Sequence, residues 1–437
     1  MSGSIPKDFI TEIVDMTDIV SLVESYLPLK KKGKDHFGQC PFCDDGKNPS
    51  FSVSDQKQFY YCFKCRATGN VIGFLQSHQG YDFIESIEAL AARAGVEVPY
   101  ENTQSFTSEK DPLYAALKMA MEIFEKNLSE SKDSEHVRNY ILNNRKISSE
   151  VCRKFSLGYA TNSWDALSKE MLNKGIKEEV LIKAGLAKKN KDDKLFDFFR
   201  DRLMFPIKDR KGRVVGFGGR VMNPDDQPKY LNTGETPVFQ KNRELYGLYE
   251  TLEFRKDLKE IFVVEGYMDV VSLHQNGVDN VVAASGTAFT EEQARLIKRF
   301  THQVTMLFDG DTAGVNASLK HIQTLLSADI NVQVVLFPAD EDPDSFIQKR
   351  GSTAFHEYVK DSAKNFVELI QEVKLAKDTS DPIQKAEAAR LVSENIAALP
   401  DPLKRAAFIS ETSSKLDIPE QIIIAEVNKF RVNNRKQ

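Results

Sequence analysis

The chain has 437 residues, of which 41% are hydrophobic and 28% charged, and a net charge of −5. That length exceeds one ordinary core and implies two to four domains. No apolar run approaches the roughly 18 residues a membrane helix needs, which excludes a membrane role, and the overall acidity argues against an unspecific nucleic-acid binder without constraining local patches.

The N-terminal MSGSIPKDF has no apolar signal core, so a cytoplasmic, reducing compartment is expected, and the five cysteines point to metal or thiol chemistry instead of disulfides. Apolar positions from Phe9 to Leu27 follow a helical stripe broken near Thr17 and Asp18, which predicts two short helices. CPFC at 40–43 and CFKC at 62–65 follow, with eighteen residues between them. This is zinc-ribbon spacing, in which two knuckles supply four thiolates, Cys40, Cys43, Cys62 and Cys65, in a tetrahedron. His36 is an alternative ligand, with a structural role the plainer reading. Around the knuckles, FSVSDQKQFYYCF and the lysines Lys30, Lys31, Lys32 and Lys34 combine aromatics with positive charge. That mixture suits single-stranded nucleic acid through base stacking and phosphate attraction, although half of these aromatics are expected to pack the thin ribbon core.

Residues 100–112 are polar and end in Pro112, as an interdomain linker does. A helical segment follows, in which the isolated Cys152 reads as a packed thiol. RLMFPI and RVVGFGGRV read as strands joined at DRKGR, and the Gly-rich bend lets backbone approach a ligand. From Arg200 to Arg243 there are ten Lys or Arg against five acids, so this segment is basic within an acidic chain.

IFVVEGYMDVVSL, VVAASGT and VTMLFDGDTAG are short runs rich in Val, Ile and Phe, each with helical spacing beside it. They predict alternating strands and helices, hence a parallel sheet with ligand groups at its carboxyl edge. Glu265, Asp309 and Asp311 fall where strands end, near Gly286, Thr287 and Gly314. Two carboxylates about 4 Å apart repel by roughly 4 kcal/mol at an effective dielectric of about 20, and a hard divalent cation that also binds phosphates removes the conflict. The competing reading is that Asp-Gly marks an ordinary turn. Beyond Asn365 the pattern is almost wholly helical, with no motif that carries chemistry.

Glu after one strand and DxD after a later one is the TOPRIM signature of bacterial primases, topoisomerases and some nucleases. CPFC, NPSF, KQFYYCFKC and GNVIGFL, then FPI, GFGGR, PKYLN and LYG, sharpen that likeness: the chain resembles bacterial DnaG-type primases along its whole length. It departs where the family usually has His and this chain has Cys43, and in a loop one residue longer, which makes the zinc site all-cysteine. The resemblance implies a multidomain α+β and α/β architecture: a zinc-ribbon template-binding domain (1–100), a linker (101–113), a basic subdomain (114–245), a TOPRIM parallel-sheet subdomain (246–364) and a helical subdomain (365–437). It implies a DNA-dependent RNA primase that uses magnesium or manganese, with Glu265, Asp309 and Asp311 catalytic, and Asp269, Asp342 and Asp344 as further metal contacts. Asp342 and Asp344 also fit plain loop acids beside Pro343. Arg145, Arg220, Lys229, Tyr230, Asn232 and Lys241 would line the path of template and nucleotide. Glu265 can coordinate metal or handle a proton, and Asp269 can share either duty.

A monomer is expected, acting on single-stranded DNA with ribonucleoside triphosphates, and the replicative helicase and single-strand-binding protein are the implied partners. Family members continue into a helicase-binding domain, whereas this chain ends soon after its helical segment, which leaves helicase contact open. The rival activity is a TOPRIM enzyme that cuts, which needs a nucleophilic tyrosine over the acids. A zinc module that only binds DNA would leave the acids unexplained. A fused helicase is excluded, since no GxxxxGK[ST] loop occurs.

Overall fold

The computed structural model describes residues 5–43, 49–79, 81, 83–99, 110–223, 226–254, 258–284, 289–309, 312–339, 341–375 and 381–434. It divides into two compact units, residues 1–109 and 110–437.

In the first unit, helices Lys7–Met16 and Ile19–Glu24 break where expected, and the Asp18 carboxylate accepts the Ser21 N–H at 2.7 Å. Their apolar stripe buries Ile13, Ile19, Leu22 and Val23 in one core with helices Val71–His78 and Phe83–Ala94. Strands β1 (Lys30–Lys32), β2 (Asp35–Gly38), β3 (Phe51–Ser54), β4 (Phe59–Cys62) and β5 (Thr68–Gly69) pair antiparallel in chain order. Phe51, Tyr60 and Phe74 are buried, and Phe42 packs on them with ring centroids 5.5–6.1 Å apart. Phe59 and Phe63 remain exposed, so the aromatics divide between core and surface as expected. The three lysines of β1 are exposed along an edge strand, where charge discourages further pairing.

The second unit opens with helix Asp111–Glu130, which takes Pro112 into its first turn, a position where the missing N–H costs nothing. Its face from Leu113 to Phe124 packs on an antiparallel sheet. The strands are β6 (Gly158–Ala160), then the separate hairpin β7 (Ala187–Lys189) and β8 (Leu195–Asp197), then β9 (Arg202–Lys208), β10 (Val214–Val221) and β11 (Tyr230–Asn232). The sheet order is β11-β10-β9-β6. β9 and β10 join at the predicted turn, where Asp209 Oδ1 accepts the N–H groups of Lys211 and Arg213 at 2.9 and 3.0 Å and Gly212 has φ +75°.

β12 (Leu245–Tyr246), β13 (Ile261–Val264), β14 (Val281–Ala284), β15 (Gln303–Phe308) and β16 (Asn331–Leu336) form the second sheet, in order β12-β14-β13-β15-β16. Only β12 pairs antiparallel among these described strands. Ile261, Val263, Val304 and Val334 face a core shared with the C-terminal helices Phe366–Leu375, Pro382–Ala398, Pro402–Leu416 and Glu420–Asn434. Phe262, Val264, Leu307 and Val335 face a second core with Phe205, Tyr246 and Tyr267. Burial on both faces explains why these strands read as continuous apolar runs. No described helix is long and apolar enough to cross a membrane.

Candidate active site and metal centre

β13 lies between β14 and β15, so the chain reverses direction of sheet growth there, and side chains following β13 and β15 meet at the carboxyl edge. Glu265 follows β13, and Asp309 follows β15; both are exposed and line one cavity of about 320 Å³. Asp269 joins them from the first turn of helix Tyr267–Gln275, held by the Gly266 N–H at 3.0 Å. Asp342 joins from the N-cap of helix Pro343–Ser362, where it accepts the Ser345 N–H at 2.6 Å. Asp342 is therefore both a cap and a pocket wall. Burial, then the carboxylates of Asp342, Asp344 and Asp309, push the Asp269 carboxyl well above its ordinary value, against the Gly266 N–H, which lowers it. Four carboxylates therefore line one cavity, and oxygen donors of this kind are what hard divalent cations take.

Asp344 is fully buried and does not line that cavity; its oxygens bind the Arg145 guanidinium and the Gln348 amide. Asp311, Gly286 and Thr287 lie outside the described residues.

The facing wall is cationic. Arg145, Arg220 and Lys229 line the same cavity with Tyr230 and Asn232, so five of the six predicted nucleotide and template residues come together. Lys241 does not line it: its backbone N–H donates to Glu235 at 3.1 Å and its carbonyl accepts from Gln293. Burial pushes the Tyr230 hydroxyl up to about 12, with Arg220 opposing and Tyr140 adding.

Two tyrosines absent from the sequence reading shape this wall. Tyr140 opens a π-helical turn, Tyr140–Asn144, and its hydroxyl accepts from Arg145 Nε at 2.7 Å while the Arg220 guanidinium lies 4.6 Å from its ring centre. One side chain thus holds both arginines. Tyr267 donates to Asn232 Oδ1 at 2.9 Å and packs in a ring cluster with Phe205, Tyr230 and Tyr246. Of the GFGGR glycines Gly218 serves that cluster, since a Cβ there would sit 2.3 Å from the Tyr267 ring, while one on Gly216 would sit 3.2 Å from Phe239. At these two glycines a close approach is made by the protein's own side chains. A further surface feature is Trp164, the chain's single tryptophan, 63% exposed, with the Arg200 guanidinium 3.3 Å from its ring centre.

In the first unit the sulfurs of Cys40, Cys43, Cys62 and Cys65 all lie within 4.8 Å of one another, with Cys40–Cys65 at 3.7 Å and Cys43–Cys62 at 3.8 Å. A tetrahedron with zinc–sulfur bonds of about 2.3 Å has edges of about 3.8 Å, so the four thiols fit that ion. Burial raises the Cys43 thiol to about 12; burial also raises Cys62, but the Ser50 hydroxyl and the N–H groups of Cys65 and Lys64 bring it down to about 6. His36 sits within β2, outside this group. Cys152 is half-buried, its thiol raised by burial to about 11, as a packed thiol should be.

Family models match in chain order: the CHC2 zinc finger at 5–106, the N-terminal domain of the DNA primase catalytic core at 123–252, a Toprim-like domain at 262–347, and the DnaB-helicase binding domain of primase at 369–421. The last falls on the C-terminal helices, which corrects the expectation that helicase-binding sequence would lie beyond them. The DNA primase of Pseudomonas aeruginosa is 41% identical over 410 residues, covering 92% of this chain, and the chain spans only 61% of that protein's length. The DNA primase of Pasteurella multocida is 37% identical over 96% of this chain and 73% of its own length. A solved DnaG primase catalytic domain bound to single-stranded DNA is 34% identical, with a TM-score of 0.62, covering 70% of this chain and 98% of its own. The parallel sheet with its acidic carboxyl edge is thus of Toprim type. By sequence and fold together, the chain belongs to the DnaG family of bacterial DNA primases.

Proposed function

We propose that the protein is a DNA-dependent RNA polymerase that makes short RNA primers on single-stranded DNA for replication in the bacterial cytoplasm. The observation that carries this reading is one cavity with an acidic wall (Glu265, Asp269, Asp309, Asp342) facing a cationic one (Arg145, Arg220, Lys229). A nucleoside triphosphate with its divalent cation needs both walls. Magnesium or manganese, when bound, neutralises the triphosphate and favours the ionised 3′-hydroxyl of the primer. Glu265, Asp309 and Asp311 hold the cation as the catalytic set, supported by Asp269 and Asp342; Asp344 supports it through Arg145. Arg145, Arg220 and Lys229 bind phosphate oxygens through charge-assisted hydrogen bonds, while Asn232, fixed by Tyr267, and Tyr230 contact sugar or base. Lys241 acts further along the template path.

Each unit by itself carries exposed aromatics beside positive charge that suit single-stranded template: Phe63 and the β1 lysines in the first, Trp164 with Arg200 in the second. Base stacking on such platforms tolerates any sequence. The zinc-bound ribbon holds its aromatics in place, within the domain division 1–100, 114–245, 246–364 and 365–437. The helices at 369–421 give the contact with the replicative helicase. A cutting enzyme is the poorer reading: the Tyr230 hydroxyl is pushed up to about 12 and the Tyr267 hydroxyl is engaged by Asn232, so neither suits a nucleophile.

Purified chain with single-stranded template, four ribonucleotides and magnesium is expected to yield short RNA, and Asp309→Ala is expected to yield none. Absence of RNA together with nicked or relaxed plasmid in a parallel reaction would overturn the proposal.

A further inference from the structure

A second cavity of about 490 Å³ lies away from the acids, between helix Asp111–Glu130, the π turn Tyr140–Asn144 and helix Ser149–Lys154. Its volume falls in the usual small-molecule range, roughly 300–1,000 Å³. The floor is apolar: Leu128, Ile141 and Leu157 are buried there, and Leu142 keeps 46% of its surface exposed at the mouth. Cys152 contributes a sulfur to the wall. Lys126, Arg138 and Arg153 face Glu125 around this floor, an excess of positive charge. Arg138 is fixed by the carbonyls of Leu128 and Ser131, both at 2.8 Å, so the wall is preformed.

The π turn carries two kinds of residue. Ile141 and Leu142 line this cavity, whereas Tyr140 and Asn144 line a neighbouring one of about 420 Å³ with Arg220 and Lys229, and Tyr140 holds Arg145. Such turns carry an extra residue relative to an α-helix and recur at functional sites. The geometry points to a regulatory site: the cavity takes a small molecule with an apolar body and one anionic group, and its occupancy shifts the Tyr140–Asn144 turn and with it Arg145. An apolar body covers Leu128, Ile141, Leu142 and Leu157 while the anion meets Lys126 and Arg153. The effect on Arg145 rests on the reading of that residue as a nucleotide contact; the binding itself does not.

The test uses the full chain and 1-anilinonaphthalene-8-sulfonate, which has an aromatic body and one sulfonate. Saturating probe is expected to slow iodoacetamide alkylation of Cys152 at least fivefold, followed by the mass of its peptide. The double variant Lys126→Glu/Arg153→Glu, on exposed positions, is expected to keep its melting temperature and primer synthesis while binding the probe at least tenfold more weakly. Unprotected Cys152, or undiminished binding in the variant, places the probe elsewhere and overturns the site. In wild-type chain first shown to make RNA, the probe is expected to raise the nucleotide KM several-fold, and not in the variant; protection of Cys152 with an unchanged KM overturns the regulatory half alone. Failure of the untreated wild type to make RNA counts instead against the primase reading.

Discussion

Gly218 is the position where packing in the antiparallel sheet most directly sets the active site. An alanine Cβ there would lie 2.3 Å from Tyr267 Cε2, about 1 Å inside ordinary contact. The ring cannot step aside freely, because it is 4% exposed and enclosed by Phe205, Tyr230 and Tyr246 at 5.4, 5.9 and 4.7 Å. Overpacking of this kind costs about 1–3 kcal/mol, a fall of roughly 2–4 °C in melting temperature per kcal/mol for a large domain. The displacement passes to function because Tyr267 begins the helix that carries Asp269, and because it positions Asn232. A misplacement of about 1 Å costs on the order of a hundredfold in rate. Gly218→Ala is therefore expected to melt earlier and to lose ten- to a hundredfold in primer synthesis, at unchanged zinc content. Gly234→Ala is the control, since nothing lies within 4 Å of its Cβ and the position is exposed; it should behave as wild type. A Gly218→Ala protein with wild-type melting would refute the packing argument. Early melting with full activity would refute only the link from Tyr267 to the site.

Metal analysis should find about one zinc per chain, and strong chelation should unfold the first unit while leaving the melting of the second in place, because a small ribbon draws its folding energy from the metal; separate units make the two transitions resolvable. The single tryptophan is a direct reporter: single-stranded DNA should quench Trp164, and Trp164→Ala should weaken binding by about 1–3 kcal/mol, the value of one stacked base. Glu244 gives the pH dependence. Burial, then Asp209, raise its carboxyl from an ordinary 4.5 to about 7, so the folded state holds a proton that the unfolded chain has released. Stability is full below about 4.5 and falls as pH rises to about 7, by at most about 3 kcal/mol. Glu244→Gln should flatten that part of the profile in urea melts; a slope identical to wild type removes Glu244 as its source.

Features written in adjacent residues were legible from the sequence. The cysteine pairs needed only their spacing, and the parallel strands announced themselves because burial on both faces demands unbroken runs such as IFVV and QVTMLF. That Glu265 and Asp309 line one cavity follows from their places at the ends of such strands. What escaped were pairings between distant segments. Arg145 meets Asp344 across 199 positions, so no local pattern tells that this acid binds an arginine while Asp342, two residues earlier, faces the cavity. Tyr140 was not singled out, since a π turn alters the register without altering composition. The GFGGR glycines were recognised as a close approach, but only the fold identifies Tyr267 as the partner.

The Arg145–Asp344 pair is where the two walls of the cavity meet. Opposite charges in one pocket would ordinarily neutralise each other and leave little for a ligand. Here Arg145 is bound on two sides: the buried Asp344 carboxylate accepts from Nη1 and the Tyr140 hydroxyl accepts from Nε. Glu265, Asp269, Asp309 and Asp342 line the cavity, and Arg220 stacks on the Tyr140 ring. A guanidinium stacked on an aromatic retains its hydrogen-bond donors for phosphate. Replacing Tyr140 by leucine would remove the ring contacts and the hydroxyl at once, whereas phenylalanine would keep the ring under both guanidinium groups and remove only the acceptor of Arg145 Nε. The two substitutions therefore separate the contribution of the hydroxyl from that of the ring without touching either charge.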